Sequence, residues 1–178
     1  MDTLKQHIFM IGFMGVGKST VSKALSSRYQ VAETDTDKRI VEKEGKAITD
    51  IFADSGEEYF RSIDTQVLDT LENEAPCIVS CGGGMVMREI NVEKMKKQGK
   101  ILLLTASPET IYERVKDSND RPILNGNMNV EYIKELMEAR RPKYEAAADI
   151  VIATDGKSPE EIAEEIVEKL TETVTNIL

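Results

Sequence analysis

The chain of 178 residues is poor in the side chains that most often carry metal or acid–base chemistry: it has one histidine, two cysteines and no tryptophan. With His7 as the single histidine, a zinc site and a histidine general base are both disfavoured, so any general base should be a carboxylate. His7 precedes the first predicted strand, and we expect it at the surface. Cys77 and Cys81 stand four apart in a predicted strand, too far from each other to form a disulfide. We interpret them as buried thiols in a reducing compartment.

Long hydrophobic runs are also missing, since no stretch approaches the roughly 20 apolar residues that a membrane-spanning helix needs. The first strand comes too early for a signal peptide, and no small-residue cleavage site precedes it. The 32 acidic residues outnumber the 23 lysines and arginines, which gives a net charge of −9. This charge disfavours nucleic acid and anionic membranes as partners. We therefore expect a cytoplasmic protein whose phosphate sites are local and built from individually placed lysines and arginines. We also expect it to be a monomer.

One motif near the start of the chain carries a specific chemical prediction. Residues 12–19 read Gly-Phe-Met-Gly-Val-Gly-Lys-Ser, which matches the phosphate-binding pattern G-x-x-x-x-G-K-[ST]. A buried strand is predicted before it and a helix after it, the context that this loop requires. Glycines let the backbone approach a ligand closely, and the N–H groups of the loop and of the helix N-terminus suit phosphate oxygens. A glycine-rich turn without function is the alternative, and this context disfavours it.

Individual side chains of this motif have predicted roles. Lys18 is expected to reach the β- and γ-phosphates of a nucleotide, and the Ser19 hydroxyl is expected to bind magnesium. The predicted nucleotide contacts in this segment are Gly15, Val16, Gly17, Lys18, Ser19 and Thr20.

Short apolar strands alternate with helical segments along the chain. Strands are predicted over residues 8–11, 30–34, 77–80, 100–105 and 150–152. Helices are predicted from residue 20, over 37–43, 48–52, 57–71 and 91–98, from Pro108, over 130–140, and from Pro159 to about residue 170. The helix over 130–140 is expected to end before Pro142. The alternation predicts a parallel sheet covered by helices on both faces, with its ligands beyond the carboxyl ends of the strands.

Two segments do not fit a simple alternation within this single predicted domain of residues 1–178. About forty almost entirely helical residues separate the second and third strands, whereas a crossover needs only about a dozen. We interpret residues 34–74 as a helical insertion that binds a second substrate. Residues 117–129 are polar and contain Asn, Asp and Gly, and they are expected to form a mobile loop that acts as a lid. Arg121 lies inside this loop.

The positions outside the phosphate-binding loop form a second ordered set. Its members are Asp35 and Asp37 in Asp-Thr-Asp, Arg61 in Gly-Glu-Glu-Tyr-Phe-Arg, the glycines Gly82, Gly83 and Gly84, Arg121 in Arg-Pro-Ile-Leu, and Arg140 in Arg-Arg-Pro-Lys-Tyr. Together with the opening Gly-Phe-Met-Gly, this set resembles the shikimate kinase family from the first strand through Pro159. The resemblance implies an α/β fold of the P-loop kinase type, a three-layer α/β/α sandwich with a five-stranded parallel sheet in the order 2-3-1-4-5.

The resemblance also implies a reaction and its ligands. The reaction is transfer of the γ-phosphoryl of ATP, with Mg²⁺, to the 3-hydroxyl of shikimate, in the pathway to chorismate and the aromatic amino acids. Arg61 and Arg140 suit the carboxylate of shikimate, because a guanidinium group matches a carboxylate in bidentate geometry. Asp37 suits the hydroxyls and the reacting proton. The backbone of residues 82–84 can approach the ring, and Asp35 would hold magnesium through water.

The nucleotide contacts outside the loop come from four further positions in this resemblance. Arg114 and Pro159 would flank the adenine, and Lys157 would touch the nucleotide. Arg121 would move in with the lid and balance the charge on the phosphates, which makes it catalytic together with Lys18 and Asp37.

Simpler interpretations stay open at three of these positions. Asp35 is also a suitable helix N-cap, residues 82–84 are also a suitable turn, and Pro159 is also a suitable helix start. Two departures from the family's usual pattern stand beside them. Asp64 replaces a glutamate, and its shorter arm is expected to weaken or reroute a contact with Arg61 or with metal-bound water. Ser80-Cys81 replaces Ala-Thr.

Rival functions are a related small-metabolite kinase such as gluconate kinase, a nucleoside monophosphate kinase, a GTPase, and a nucleotide-binding regulator without activity. The gluconate kinase has less need for two arginines beside Asp-x-Asp. The helical insertion lacks the several basic residues that a nucleoside monophosphate would need. No Asn-Lys-x-Asp guanine motif is present, and the reacting groups of an active kinase are all present.

Overall fold

The centre of the fold is a five-stranded parallel sheet, and the computed structural model of the protein describes residues 4–117, 126 and 128–175. The strands are β1 (His7–Ile11), β2 (Glu33–Asp35), β3 (Ile78–Ser80), β4 (Gly99–Thr105) and β5 (Ile150–Ala153). Their order is β2-β3-β1-β4-β5, and each neighbouring pair is parallel. The predicted sheet order is therefore confirmed.

Helices cover the sheet, as the alternating pattern predicted. They are α1 (Lys18–Tyr29), α2 (Thr36–Glu44), α3 (Ile48–Leu71), α4 (Glu89–Gln98), α5 (Pro108–Val115), α6 (Val130–Ala147) and α7 (Pro159–Thr175), with a 3₁₀ turn over Met85–Met87. All five residues of β1 are buried, because a central strand of a parallel sheet has both faces covered. None of the helices in the described part of the chain is both long enough and apolar enough to cross a bilayer.

The connection between β2 and β3 is made by α2 and α3. Gly56 interrupts α3 with φ 81° and ψ 170°, so that two helical segments meet at a kink where the sequence predicted a break. Both segments bury apolar side chains, Ile51 on the first and Phe60, Ile63 and Leu68 on the second. Residues of α2 and of both segments of α3 line one cavity together with Met14 of the phosphate-binding loop.

The prediction that the helix starting at Val130 ends before Pro142 is wrong. α6 continues through Pro142 to Ala147. Proline removes one backbone hydrogen bond and disfavours the helical conformation of the residue before it. Packing offsets this cost, because Tyr144 and Ala147 are buried and the Tyr144 hydroxyl donates to the Gly83 carbonyl at 2.5 Å.

The predicted surface position of His7 is also wrong. His7 is the first residue of β1 and is only 4% exposed. Its Nδ1 accepts from the Cys77 backbone N–H at 3.1 Å, so Nε2 carries the proton and donates to the Leu71 carbonyl at 2.9 Å. The ring therefore joins the starts of β1 and β3 to the end of α3. Cys77 and Cys81 are both buried and free, as expected, although they flank β3 and are not part of it.

Candidate active site

The loop between β1 and α1 has the backbone geometry of a phosphate-binding loop. Gly15 and Gly17 adopt φ of 82° and 98°, in the left-handed region that disfavours any other residue. Gly17 is the N-cap of α1, so the helix begins at Lys18 and its N-terminus faces the same concavity as the loop. The Lys18 ammonium donates to the carbonyls of Gly12 at 2.7 Å and Phe13 at 3.1 Å, which holds it over the loop.

Asp35 meets the loop from the end of β2. The Ser19 hydroxyl donates to Asp35 Oδ2 at 3.2 Å, and the other oxygen of Asp35 accepts from the Lys38 N–H at 3.1 Å. Asp35 is therefore the N-cap of α2, the simpler of its two interpretations, and it contacts Ser19 as well. Hydroxyl and carboxylate oxygens are ligands that Mg²⁺ prefers, so this pair fits the chemistry of a magnesium site.

A cavity of about 560 Å³ lies beside the loop, between α2, α3 and α6. Its floor is the segment that follows β3, residues 82–84, and its polar side chains include Asp35, Asp37, Arg61 and Arg140. Its apolar wall comes from the helices of the β2–β3 connection and from the loop: Met14, Val41, Ala47, Ile48, Phe52 and Phe60. The side chains that the sequence assigned to an acceptor substrate thus line one cavity.

Each of the three glycines lies against one of the polar side chains of this cavity. A Cβ atom on Gly82 would stand 2.5 Å from Asp37 Oδ1, and one on Gly83 would stand 3.3 Å from a guanidinium nitrogen of Arg140. A Cβ atom on Gly84 would overlap the Arg61 guanidinium. A side chain at Gly82 or Gly84 would therefore displace its polar neighbour, and one at Gly83 would crowd the guanidinium group beside it. The three glycines form a turn and also allow these side chains to pack closely against it.

Arg61 and Asp64 form a buried ion pair on α3. Arg61 is 7% exposed and Asp64 is fully buried, and their Nη1 and Oδ2 atoms are 3.0 Å apart. Glu57 also contacts Arg61, at 3.3 Å. The shorter arm of Asp64 therefore keeps a contact with Arg61. Asp64 Oδ1 is buried and has no hydrogen-bond partner among the residues that the structure describes. Burial raises the pKa of Asp64 to about 6, although the Arg61 charge opposes this rise.

This pKa predicts a pH-dependent loss of stability that an asparagine should remove. Since the folded-state pKa of Asp64 lies above the usual value of 3.8, the folded state binds the proton more tightly than the unfolded state does. Stability from this group is therefore present below about pH 4 and is lost as pH rises to about 6, by about 3 kcal/mol in all. Relative to Asp64→Asn, the unfolding free energy of the wild type should fall by that amount across this window. Urea denaturation followed by circular dichroism measures the difference; a constant difference across the window would contradict the titration.

The predicted nucleotide contacts outside the loop lie on α5 and at the start of α7. Arg114 Nη1 donates to the Gly15 carbonyl at 3.0 Å, which brings the exposed end of α5 to the loop. Lys157 pairs with Glu165 of α7 at 2.6 Å. Pro159 is the first residue of α7, after Ser158, whose hydroxyl accepts from the Glu161 N–H at 3.2 Å. Arg121 and most of the predicted lid, residues 118–125 and 127, lie outside the described residues.

Two of the contacts at this site were not predicted from the sequence. Thr36, the middle residue of Asp-Thr-Asp, is fully buried, and its hydroxyl accepts from the Gly82 N–H at 2.9 Å. Tyr144 ends the Arg-Arg-Pro-Lys-Tyr motif, and its bond to the Gly83 carbonyl ties α6 to the cavity floor. Their positions inside recognised motifs were the available signal, whereas their partners lie 46 and 61 residues away.

A phosphate-binding loop at the carboxyl edge of a parallel sheet, beside a cavity under inserted helices, defines the P-loop kinase fold. The family model for shikimate kinase matches residues 14–171. A shikimate kinase of Dehalococcoides mccartyi is 41% identical over 169 residues, covering 95% of this chain and 96% of that protein. The structure of the Acinetobacter baumannii shikimate kinase in complex with shikimate matches with a TM-score of 0.90 and 28% identity, over 94% of each chain. That of the Aquifex aeolicus enzyme matches with a TM-score of 0.82 and 36% identity, over 94% and 98%.

The chain therefore belongs to the shikimate kinase family, and it is an ATP-dependent kinase of that family. The resemblance stated from the motifs is confirmed, and so is the activity that it implied. None of the rival functions is favoured by these matches.

Proposed function

We propose that the cavity beside the phosphate-binding loop binds shikimate, and that the loop binds ATP, for transfer of the γ-phosphoryl group to the 3-hydroxyl. The observation that carries this assignment is the convergence of Asp37, Arg61 and Arg140 on the three glycines in one cavity. The two guanidinium groups come from α3 and α6, so a carboxylate between them would receive hydrogen bonds from two sides. Carboxylates also line this cavity, Asp35 and Asp37 among them, so the two guanidinium groups would act through their placement around one carboxylate and not through an excess of positive charge.

The nucleotide half of the proposal rests on the loop and the helices beside it. The N–H groups of residues 15–20 would surround the phosphates, and Lys18 would exchange its bonds to the Gly12 and Phe13 carbonyls for phosphate oxygens. Arg114 and Pro159 would flank the adenine, with Lys157 near the nucleotide. Arg121 keeps its predicted role opposite the phosphates.

Members of this family use ATP and Mg²⁺ generally, and Ser19 and Asp35 would hold the metal in this chain. Their oxygen atoms lie 3.2 Å apart on the side of the loop that faces β2. A bound Mg²⁺ would supply positive charge to the phosphates while the phosphoryl group passes from ATP to the acceptor oxygen. The contribution of the chain is to hold the Ser19 hydroxyl and the Asp35 carboxylate together, since Asp35 is fixed as the N-cap of α2.

Asp37 is the group that we assign to the acceptor hydroxyl. It follows the N-cap of α2 by two residues, and its carboxylate packs against Gly82 at the cavity floor. Transfer through a loose transition state demands positioning of the hydroxyl more than early removal of its proton. Asp37 would therefore orient the 3-hydroxyl by accepting its hydrogen bond and would take the proton late.

Replacing Arg140 with alanine tests the shikimate assignment. Loss of one partner of a charge-assisted pair costs about 2–5 kcal/mol, so the KM for shikimate should rise by roughly 30-fold or more. The KM for ATP should change by less than about twofold, because Arg140 lines the acceptor cavity, where its guanidinium lies beside Gly83.

Arg141→Ala is the matched control for this variant. Arg141 is the next residue of α6, but it is exposed and pairs with Glu138, so its loss should leave both KM values unchanged. Equal increases in both KM values for Arg140→Ala would contradict the assignment of the cavity to shikimate.

A further inference from the structure

Asp155 lies two residues after the end of β5, and its carboxylate bonds to residues at the start of α5. Its Oδ1 atom accepts from the Ser107 backbone N–H at 3.0 Å and from the Thr110 hydroxyl at 2.7 Å. The Ser107 hydroxyl in turn donates to Thr110 Oγ1 at 2.9 Å, which leaves the Thr110 proton directed at Asp155. These bonds, the one from the Ser107 backbone first, hold the pKa of Asp155 below its usual range.

The partners of Asp155 form the first turn of α5. Ser107 is the N-cap of this helix, and Thr110 lies in its first turn. At the other end of the same eight-residue helix, Arg114 reaches the Gly15 carbonyl of the phosphate-binding loop. A carboxylate at the start of α5 also interacts favourably with the positive end of the helix dipole.

On its own side, Asp155 begins the short loop that leads to α7. The preceding residue, Thr154, is fixed to the Thr105 carbonyl by its N–H at 2.8 Å and by its hydroxyl at 2.9 Å. Gly156 then turns the chain with φ 70°, and α7 begins at Pro159. Asp155 therefore bonds this loop to α5 four residues before the chain reaches Pro159.

Stability alone does not account for this cluster. Asp155 is exposed, and α5 keeps its own cap because the Thr110 N–H is bonded to the Ser107 hydroxyl at 3.2 Å. Exposed carboxylates of this kind contribute little to the free energy of unfolding. What the cluster does is connect α5, which carries Arg114, to the loop that leads to Pro159.

We propose that Asp155 is a positioning residue for the nucleotide, which holds α5 and the β5–α7 loop at the separation that the base requires. This inference rests on the proposed function, in which Arg114 and Pro159 flank the adenine. Without Asp155, α5 and the β5–α7 loop would no longer be bonded to each other at this point. Binding of the nucleotide would then have to fix the positions of Arg114 and Pro159. The cost would appear in nucleotide binding and not in shikimate binding.

The test is Asp155→Ala, assayed for nucleotide and shikimate separately. We expect the KM for ATP and the dissociation constant of ADP, measured by calorimetry, to rise about tenfold, which corresponds to 1.4 kcal/mol. The KM for shikimate should stay within about twofold, and so should the affinity for inorganic tripolyphosphate, which occupies the loop but has no base. Asp155→Asn keeps the accepting oxygen and should restore ADP binding to within about threefold of the wild type.

Asp149→Ala is a matched control at the other end of β5. Asp149 Oδ2 accepts from the Ile101 N–H at 2.8 Å, so it also ties β5 to β4 by a carboxylate, but at the edge of the sheet away from the loop. This variant should leave ADP binding unchanged. If Asp155→Ala left ADP binding unchanged, or weakened the binding of tripolyphosphate as much as that of ADP, the positioning role would be refuted.

Arg114→Ala separates this proposal from the function on which it rests. If Arg114→Ala weakens ADP binding and Asp155→Ala does not, the positioning role of Asp155 is refuted, and the assignment of Arg114 to the adenine site is retained. If Arg114→Ala leaves ADP binding unchanged, the proposal that Arg114 and Pro159 flank the adenine is refuted, and so is the role of Asp155 that rests on it. When both variants weaken ADP, the double variant should lose less than the sum of the two, because both act through α5.

Discussion

Replacing Lys18 with alanine is expected to abolish phosphoryl transfer and to leave the fold intact. Lys18 begins α1, and its ammonium bonds to carbonyls of its own loop and is not part of the apolar core. Alanine is a good helix former, so α1 should persist. The charge that would stabilise the transferring phosphoryl group would be gone, and we expect turnover to fall by at least about a thousandfold.

Turnover in a coupled ADP-release assay, read beside the melting temperature, checks this prediction. Lys23→Ala provides the control, because Lys23 is an exposed lysine on the same helix and should be dispensable. If turnover of Lys18→Ala stayed within about tenfold of the wild type, the activation barrier would have changed by only about 1.4 kcal/mol. That result would contradict the proposal that this loop binds the phosphates.

Asp37→Asn is expected to have the next largest effect, and it acts on the acceptor. Asparagine keeps the size of the side chain and one accepting oxygen, but it cannot take the proton of the 3-hydroxyl. We expect kcat to fall by about a hundredfold or more, the contribution of a well-placed acid–base group. The KM for ATP should hardly change, because Asp37 lies on the floor of the cavity against Gly82.

Asp35→Asn is the matched comparison, two residues earlier. Asparagine is as good an N-cap as aspartate, so α2 should be preserved. The expected change is a raised Mg²⁺ requirement with little loss of kcat at saturating metal, because Asp35 is bonded to Ser19, the other proposed metal ligand. Exchanged phenotypes would mean that the two carboxylates have each other's roles. If neither variant affected phosphorylation of shikimate, the acceptor assignment would fail.

Much of the fold follows from local patterns in the chain. β1, β3, β4 and β5 were predictable because each is a short apolar run between breakers, and Gly56 and Ser107 mark a kink and a cap through their own backbone chemistry. β2 has no apolar residue, and the strand predicted over residues 30–34 overlaps it only at Glu33 and Thr34.

The site followed from motifs, since residues at the carboxyl ends of parallel strands meet at one edge. Asp37 and residues 82–84 follow β2 and β3 and meet in one cavity for this reason. Arg61 and Arg140 reach it from α3 and α6, and they were predicted from the family motifs.

The errors have a common physical cause, which is that tertiary contacts decided the outcome. Pro142 lies inside α6 because Tyr144 and Ala147 pack beyond it, and local preference could not anticipate that gain. His7 is buried because Leu71 and Cys77 supply partners for both ring nitrogens. The bonds of Asp155 to Ser107 and Thr110 span 48 and 45 residues and leave no periodic signal.

Product analysis with a panel of acceptors tests the central claim most directly. The purified protein would be supplied with ATP, Mg²⁺ and either shikimate, gluconate or a nucleoside monophosphate, and the phosphorylated product would be identified by phosphorus NMR. We expect efficient turnover with shikimate alone and a single product phosphorylated at the 3-hydroxyl, because the two arginines and Asp37 orient the ring in one way. Faster turnover with gluconate or a nucleotide, or a phosphate on another hydroxyl of shikimate, would contradict the account.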